Sequence, residues 1–291
     1  MTLIGKTVFM TGGSRGIGLA IAKRFARDGA NIIIAAKTVE PHPKLSGTIH
    51  TAVAEIEAEG GHALAVQTDI RYEEQIAEAV KQGIMHFGGI DIVINNASAI
   101  YLLGPEILKT KQYDLMFSIN ARGSYLTNNL CFEYLKKSQN PHIITLSPPI
   151  NMKSEWFKRN IAYTQSKFVM SMNTVGFAEV YKKYGIAVNA LWPRTVIDTD
   201  AIRHINPDLV KHSRKDTIMA DAAYWIVSQK SKRYNGRFFT DQEVLEKSGI
   251  EDFSAYAVVP GNPLIRDLFI GHPGDALKML DTNGNDIDSS I

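Results

Sequence analysis

The chain has 291 residues, 45% of them hydrophobic and 21% charged, with a formal net charge of +2. That length and apolar content can bury a full α/β core, and the near-balance of charge excludes a strong pull towards nucleic acid or membrane surfaces. A single cysteine, Cys131, excludes an internal disulfide and fits a reducing cytoplasm, and no apolar run approaches the roughly 18 residues of a membrane span.

No basic segment with a long apolar run precedes the first strand, so no signal peptide is expected. Val8, Phe9 and Met10 form a short apolar run cut off by Gly12 and Gly13, the pattern of a buried parallel strand ending in a tight turn. Ser14, Arg15, Gly16, Ile17 and Gly18 then lead into Leu19, Ala20, Ile21, Ala22 and Phe25, apolar at helical spacing and ending near Gly29. Glycines at 12, 16 and 18 permit positive φ and let a ligand approach without meeting a Cβ, while the free N–H groups of the helix start attract an anion. The spacing is Gly12-x-x-x-Gly16-x-Gly18 rather than G-x-G-x-x-G, yet a strand before it and a helix after it read as a dinucleotide site.

Residues 31–36 are a continuous run suited to a strand buried on both faces. Lys37 stands at its end, the position that faces the adenosine ribose in a dinucleotide fold. An acid there would hold the free 2′-hydroxyl of NAD and repel a 2′-phosphate; Lys37 with Arg15 offers two cations instead, so NADP is favoured and NAD remains possible. Residues 38–50 carry Pro41, Pro43 and Gly47 and read as a loop beside the adenosine end. A helix over 49–59 and a strand over 63–68 follow, and Asp69 and Ile70 at the strand end place a carboxylate near the adenine amino group.

Residues 71–87 read as an amphipathic helix broken by Gly88 and Gly89, and 90–94 as the fourth strand, ending in Asn95, Asn96 and Ala97. Asparagines there can satisfy stray backbone groups and shape the floor under a cofactor. A long helix carries Phe117, Ser118, Ile119 and Asn120 and runs through Leu135; His142 to Leu146 is the fifth strand, with Ser147 at its carboxyl end. This alternation predicts an α/β fold: a doubly wound parallel sheet of about seven strands with helices on both faces and ligands at the strand C-termini.

Tyr163 and Lys167 lie four apart in a helical stretch and so share one face. A nearby ammonium stabilises phenolate and brings the tyrosine from about 10 towards neutrality, which makes Tyr163 a usable general acid or base. Taken in order, Thr11-Gly12-x-x-x-Gly16-x-Gly18, Asn95-Asn96-Ala97, Asn120, Ser147 and Tyr163-x-x-x-Lys167 resemble the short-chain dehydrogenase/reductase family over about residues 4–240. The stretches AAKTVEPHPKL, ITLSPP, NALWP and MADAAYWI are similar to its hydroxysteroid dehydrogenase-like group, and no sterol-carrier domain is expected.

The resemblance implies a Rossmann fold and hydride transfer between a nicotinamide and a carbonyl or alcohol. It implies that Tyr163 exchanges the proton, Lys167 holds the ribose hydroxyls, Asn120 supports a water-linked relay and a serine orients the substrate oxygen. In the family that serine stands about thirteen residues before the tyrosine; here Ser147 precedes Tyr163 by sixteen and is followed by Pro148. Either Ser147 takes the role through a reshaped loop or no serine does. Residues 185–193 read as the sixth strand. The family follows it with a Pro-Gly loop whose backbone grips the carboxamide, and here Pro193-Arg194 leaves Thr195, Val196 and Ile197 as candidates.

Residues 194–216 are expected to form a substrate lid whose Arg203, His204, Lys211, His212, Arg214 and Lys215 form either a solvated face or a site for an anionic acyl thioester. Trp156, Phe157 and Trp192 favour an apolar substrate body. A helix over 221–227 and a seventh strand over 237–240 complete a domain over 1–245, and 246–291 read as a C-terminal extension with a flexible tail. Residues 281–286 resemble a calcium loop, but the glycine is misplaced and no glutamate closes it, so no metal is expected. A homodimer or homotetramer is expected from the resemblance. Two rival readings stand beside the enzyme: a nucleotide-binding redox sensor, and a reductase of carbon–carbon double bonds.

Overall fold

The computed structural model describes residues 2–43, 45–272, 274 and 277–287. Side-chain alternation along β1 (Thr7–Thr11) and β2 (Asn31–Ala36) sorts the core into two layers. Val8, Met10, Ile32 and Ile34 pack on one side with Ile21, Ala22 and Phe25 of α1 (Gly16–Ala26), whereas Phe9, Ile33 and Ala35 pack on the other. Helix α2 (Ile49–Ala58) joins the first layer through Ile49 and Ile56. The second layer takes Ile76, Ala79 and Val80 of α3 (Glu73–Phe87), which follows β3 (His62–Gln67). Strands covered on both faces need apolar residues at successive positions, which is why these segments read as unbroken runs.

Four further strands extend the sheet: β4 (Ile92–Asn95), β5 (His142–Thr145), β6 (Ala187–Trp192) and β7 (Phe238–Thr240). All seven pair in parallel in the order β3-β2-β1-β4-β5-β6-β7. The expected doubly wound Rossmann-type sheet is therefore present. Its winding reverses between β1 and β4, which opens a crevice at their carboxyl ends.

The helix expected to run unbroken through Leu135 is interrupted. α4 (Thr110–Met116) passes into a π-helical turn over Phe117–Gly123 before α5 (Ser124–Leu135). The Asn120 side chain binds the Ala99 backbone in both directions, accepting from its N at 2.8 Å and donating to its O at 2.9 Å, at the centre of this wider turn. After β5 the chain forms α6 (Ile161–Tyr181), and after β6 it forms α7 (Asp200–Ile205) and α8 (Thr217–Ser228). α9 (Asp241–Lys247), which the sequence pattern missed, starts on the Thr240 hydroxyl that accepts from Glu243 N at 3.2 Å.

The chain beyond α9 returns to the domain. β8 (Leu264–Ile265) pairs antiparallel with β9 (Met279–Leu280). Arg214, 0% exposed, donates to Gln242 Oε1 at 2.9 Å and to Asn283 O at 2.6 Å, Arg194 donates to Gly284 O at 2.7 Å, and Arg266 pairs with Asp286. Asp281 Oδ1 accepts from the Asn283 and Asn285 amides at 2.8 and 2.7 Å, so this carboxylate closes a turn. Asn283 and Gly284 thus tie the described end of the extension to the rest of the chain; residues 273, 275, 276 and 288–291, the last four being the end of the expected flexible tail, lie outside the described residues.

His142, at the start of β5, is buried, with Nε2 3.1 Å from Gln229 O, and burial holds its ring down at about 4. The native ring stays neutral while the unfolded chain takes up a proton between about pH 6.5 and 4, so stability is lost as pH falls through that window. His142→Gln is expected to be destabilising at pH 7.5, with the gap to wild type shrinking by roughly 2 kcal/mol by pH 4.5 in urea denaturation. A gap independent of pH contradicts a neutral buried ring.

Candidate active site

Side-chain bonds clamp the crevice at the winding reversal. Thr11 Oγ1 accepts from the amides of Asn96 and Ala97, each at 3.2 Å, and Asn96 Nδ2 donates to Gly12 O at 2.7 Å and Thr11 O at 3.2 Å. Two of the three glycines are required by this clamp. A Cβ on Gly12, at φ +71°, would lie 2.8 Å from Ala97 Cα, and one on Gly18 would lie 2.4 Å from Asn96 Nδ2. Gly16 has φ +54° and only the Thr199 methyl nearby, at 3.5 Å. The N-cap of α1, Arg15, makes no side-chain cap bond and the first turn holds no acid, so its N–H groups are left for an anion.

A cleft of about 600 Å³ runs from this turn. Its wall brings together the predicted Gly12, Ser14, Arg15, Gly16, Ile17, Lys37, Asp69, Ile70, Asn96, Ala97, Tyr163, Lys167, Pro193 and Val196. Gly18, Asn120, Ser147 and Thr195 are not on that wall. Asn120 is 0% exposed and also donates to Ser166 Oγ at 3.0 Å, which makes it a brace between the π-helical turn and α6. Ser147 is buried, with its hydroxyl lacking a partner among the described residues, as is the hydroxyl of Thr195.

At the end of the cleft beside β2, Lys37 is exposed. Arg15 lies across the loop after β2, donating to Ser46 O at 2.5 Å and Gly47 O at 2.9 Å; burial lowers its pKa, with Asp200 opposing. Ser46 in turn donates through N and Oγ to Asp200 Oδ2, each at 2.7 Å, which fastens the loop to the first turn of α7. Asp69 is held by Arg71, whose Nε lies 2.9 Å from both carboxylate oxygens.

At the other end, Tyr163 and Lys167 project one turn apart from α6, both buried at the cleft wall. Lys167 Nζ donates to Leu146 O at 2.6 Å and sits 5.0 Å from the Trp192 ring centroid. The expected depression of the phenol is not found in the free chain. Burial pushes Tyr163 above its ordinary value and Asp267 adds to that, while burial brings Lys167 down to about 7. A low-dielectric pocket penalises every charge it holds, and the ammonium that would lower the phenol is itself close to neutrality.

The loop after β6 is also tied differently. Val196 N donates to Ile265 O and Val196 O accepts from Arg214 N, each at 2.9 Å, so both polar groups of its backbone are engaged within the protein. The strand-like segment responsible, 264–267, places Asp267 on the cleft wall. Sequence reading missed Asp267 because a lone acid in a segment without periodicity carries no local signal. The basic lid residues are largely committed to the protein: Arg203 to Asp198 at 2.7 and 2.8 Å, His212 Nδ1 to Pro263 O at 2.8 Å, Lys215 to Ala255 O at 2.9 Å, and Arg214 to the tail.

A phosphate-ready helix start at one end and a Tyr–Lys pair at the other define a dinucleotide-binding oxidoreductase of the α/β class. Residues 6–209 match the family model for short chain dehydrogenases, and the chain belongs to that family, whose members use NAD or NADP. It is 53% identical over 284 residues to hydroxysteroid dehydrogenase-like protein 2 of Danio rerio, covering 97% of this chain and 68% of that one. The chain thus spans about two thirds of that relative's length. A solved chain from Xanthomonas campestris superposes with a TM-score of 0.91 at 48% identity, covering 94% of this chain and 100% of the other. A short chain dehydrogenase from Mycobacterium thermoresistibile does so at 0.89 and 46%, covering 94% and 97%.

Gly18→Ala is expected to push Asn96 off Gly12 O, at a cost of about 1–3 kcal/mol in stability, and to weaken dinucleotide binding about tenfold or more. Thermal melts and titration of nucleotide fluorescence check both, and unchanged binding rules out the clamp as the support of the phosphate turn.

Proposed function

We propose that the chain is an NADP-preferring oxidoreductase that moves a hydride between the nicotinamide and a carbonyl or alcohol carbon. The observation that carries this reading is the placement of Tyr163 and Lys167 on the wall of the same cleft that begins at the Gly12–Gly18 turn. When bound, the nucleotide supplies or accepts the hydride. The amides at the start of α1 hold its diphosphate, and Lys37 and Arg15, both on the wall and with no acid at the end of β2, support a 2′-phosphate over a free 2′-hydroxyl. The Tyr163 hydroxyl gives its proton to the substrate oxygen in reduction and takes it back in oxidation, and the Lys167 ammonium offsets the charge left on the phenol.

The substrate is a small molecule with an apolar body, since Ile100, Leu102, Leu115, Ile205 and Leu209 line the cleft. With most basic lid residues engaged by protein partners, an anionic substrate loses support. Exposed Met172, Val175 and Val180 on α6 support a homodimer or homotetramer. No helix among the described residues is long and apolar enough to cross a membrane, and the single buried cysteine supports a cytoplasmic setting.

Tyr163→Phe is expected to lower turnover about 10²- to 10⁴-fold while nucleotide binding is kept. Wild-type protein is mixed with NADPH and a panel of ketones, aldehydes, ketoacyl thioesters and enoyl substrates, and loss of nicotinamide absorbance is followed. Activity surviving in Tyr163→Phe removes the phenol from the chemistry, and turnover of enoyl substrates alone assigns double-bond reduction. The position of Ser147 behind the wall favours a second reading, a nucleotide-binding protein without turnover, which tight binding and silence on the whole panel would support.

For the cofactor, Lys37→Glu is expected to raise the KM for NADPH about tenfold, equivalent to about 1.4 kcal/mol, with little change for NADH. A wild-type preference for NADH in the ratio of kcat/KM values refutes the assignment.

A further inference from the structure

Residues 264–267 run antiparallel along 194–196, with Val196 N donating to Ile265 O at 2.9 Å and Asp267 N donating to Arg194 O at 3.0 Å. This strap from the C-terminal extension then enters an aromatic cluster. Phe269 has φ +67°, a left-handed conformation that a bulky residue keeps only where its surroundings hold it. Its ring lies 5.4 Å from Trp156, 6.2 Å from Tyr163, 5.4 Å from Phe168 and 6.0 Å from Trp192. The strap is therefore anchored on both sides of Asp267.

The Asp267 carboxyl is oriented as well as placed. Oδ1 accepts from Leu268 N at 2.7 Å, the carboxylate lies against the Trp192 side chain, and Trp192 Nε1 donates to Leu268 O at 2.8 Å. Lys167 Nζ stands 5.0 Å from the same indole, and both residues line the cleft. An acid and an ammonium thus flank one indole beside the Tyr163 phenol.

We propose that Asp267, delivered by the C-terminal strap, is the counter-charge that keeps the Lys167 ammonium protonated beside Tyr163, and so is a positioning residue for the proton-transfer pair. The inference rests on the oxidoreductase reading above and adds a group from outside the Gly-turn and Tyr-x-x-x-Lys motifs. A buried ammonium with one carbonyl partner drifts to the neutral amine, which cannot stabilise phenolate. Burial pushes Lys167 down and Asp267 up, and the charge of each counters that push on the other. The remaining charged neighbour, Asp241 at the start of α9, raises Asp267 further, and is itself bound by the amides of Arg194 and Gln242 at 2.8 and 2.7 Å and faced by Arg214.

The test is a titration of the free protein carrying ¹³C-labelled lysine, with Lys167→Arg used to assign the Lys167 Cε resonance. Asp267→Asn is expected to move the Lys167 midpoint down by about one pH unit or more, and Asp267→Glu to restore it towards wild type. In activity, Asp267→Asn is expected to lower kcat with the KM for the carbonyl substrate unchanged. A purely structural role would lower the melting temperature and leave the midpoint in place, and an unmoved midpoint overturns the proposal. Should Asp267→Asn fail to fold, the labelled Asp267 carboxyl carbon in wild type decides. An ionised carboxylate at the pH where Lys167 is charged upholds the proposal, and a carboxyl protonated throughout that range overturns it. The titration needs no turnover, so a coupled but inactive protein sinks the enzyme reading alone.

Discussion

The clamp between Thr11, Gly12 and Asn96 is the constraint on which the rest of the site depends. A parallel sheet whose winding reverses sends its helices to opposite faces, and at that point neighbouring strand ends lose the connections that would hold them together. Here the amides after β4 bind the Thr11 hydroxyl, and Asn96 returns a bond to the glycine turn. Because Gly18 lacks a Cβ, Asn96 can come close enough to do this. The crevice is thus a rigid feature of the carboxyl ends of the central strands, and the start of α1 is presented into it at a set height.

Burial acts in opposite senses along this cleft. Removing water strengthens hydrogen bonds such as that of Lys167 to Leu146, and it also moves Tyr163, Lys167 and Asp267 each towards its neutral form. Groups whose charge is so strongly penalised respond to small changes in position, so the stiffness of their supports matters. Those supports are the brace of Asn120 between the π-helical turn and α6, and the aromatic ring cluster around Phe269.

The two ends of the cleft are also mechanically joined. Ser46 and Asp200 tie the loop after β2 to α7, and the strap over 264–267 ties the segment after β6 to the C-terminal extension. Residues far apart in the chain therefore form one continuous rim. In that rim Pro193 is followed by Arg194, and Val196 N donates to Ile265 O.

Much of this was legible in the amino-acid order alone. Runs such as residues 31–36 announce strands buried on both faces, glycines at 12, 16 and 18 announce a turn that opens a helix, and the four-residue spacing of Tyr163 and Lys167 puts them on one face, because each of these signals is local and periodic. The tertiary structure alone decided that Asn120 sits in a π-helical turn, that Arg15 rests on the Ser46 and Gly47 carbonyls, that Ser147 is buried off the cleft wall, and that Asp267, about a hundred residues beyond Lys167, lines the same cleft. Such outcomes depend on contacts between distant segments and on how far water is excluded around them, and neither leaves a repeat or a spacing in the chain for a reader to find.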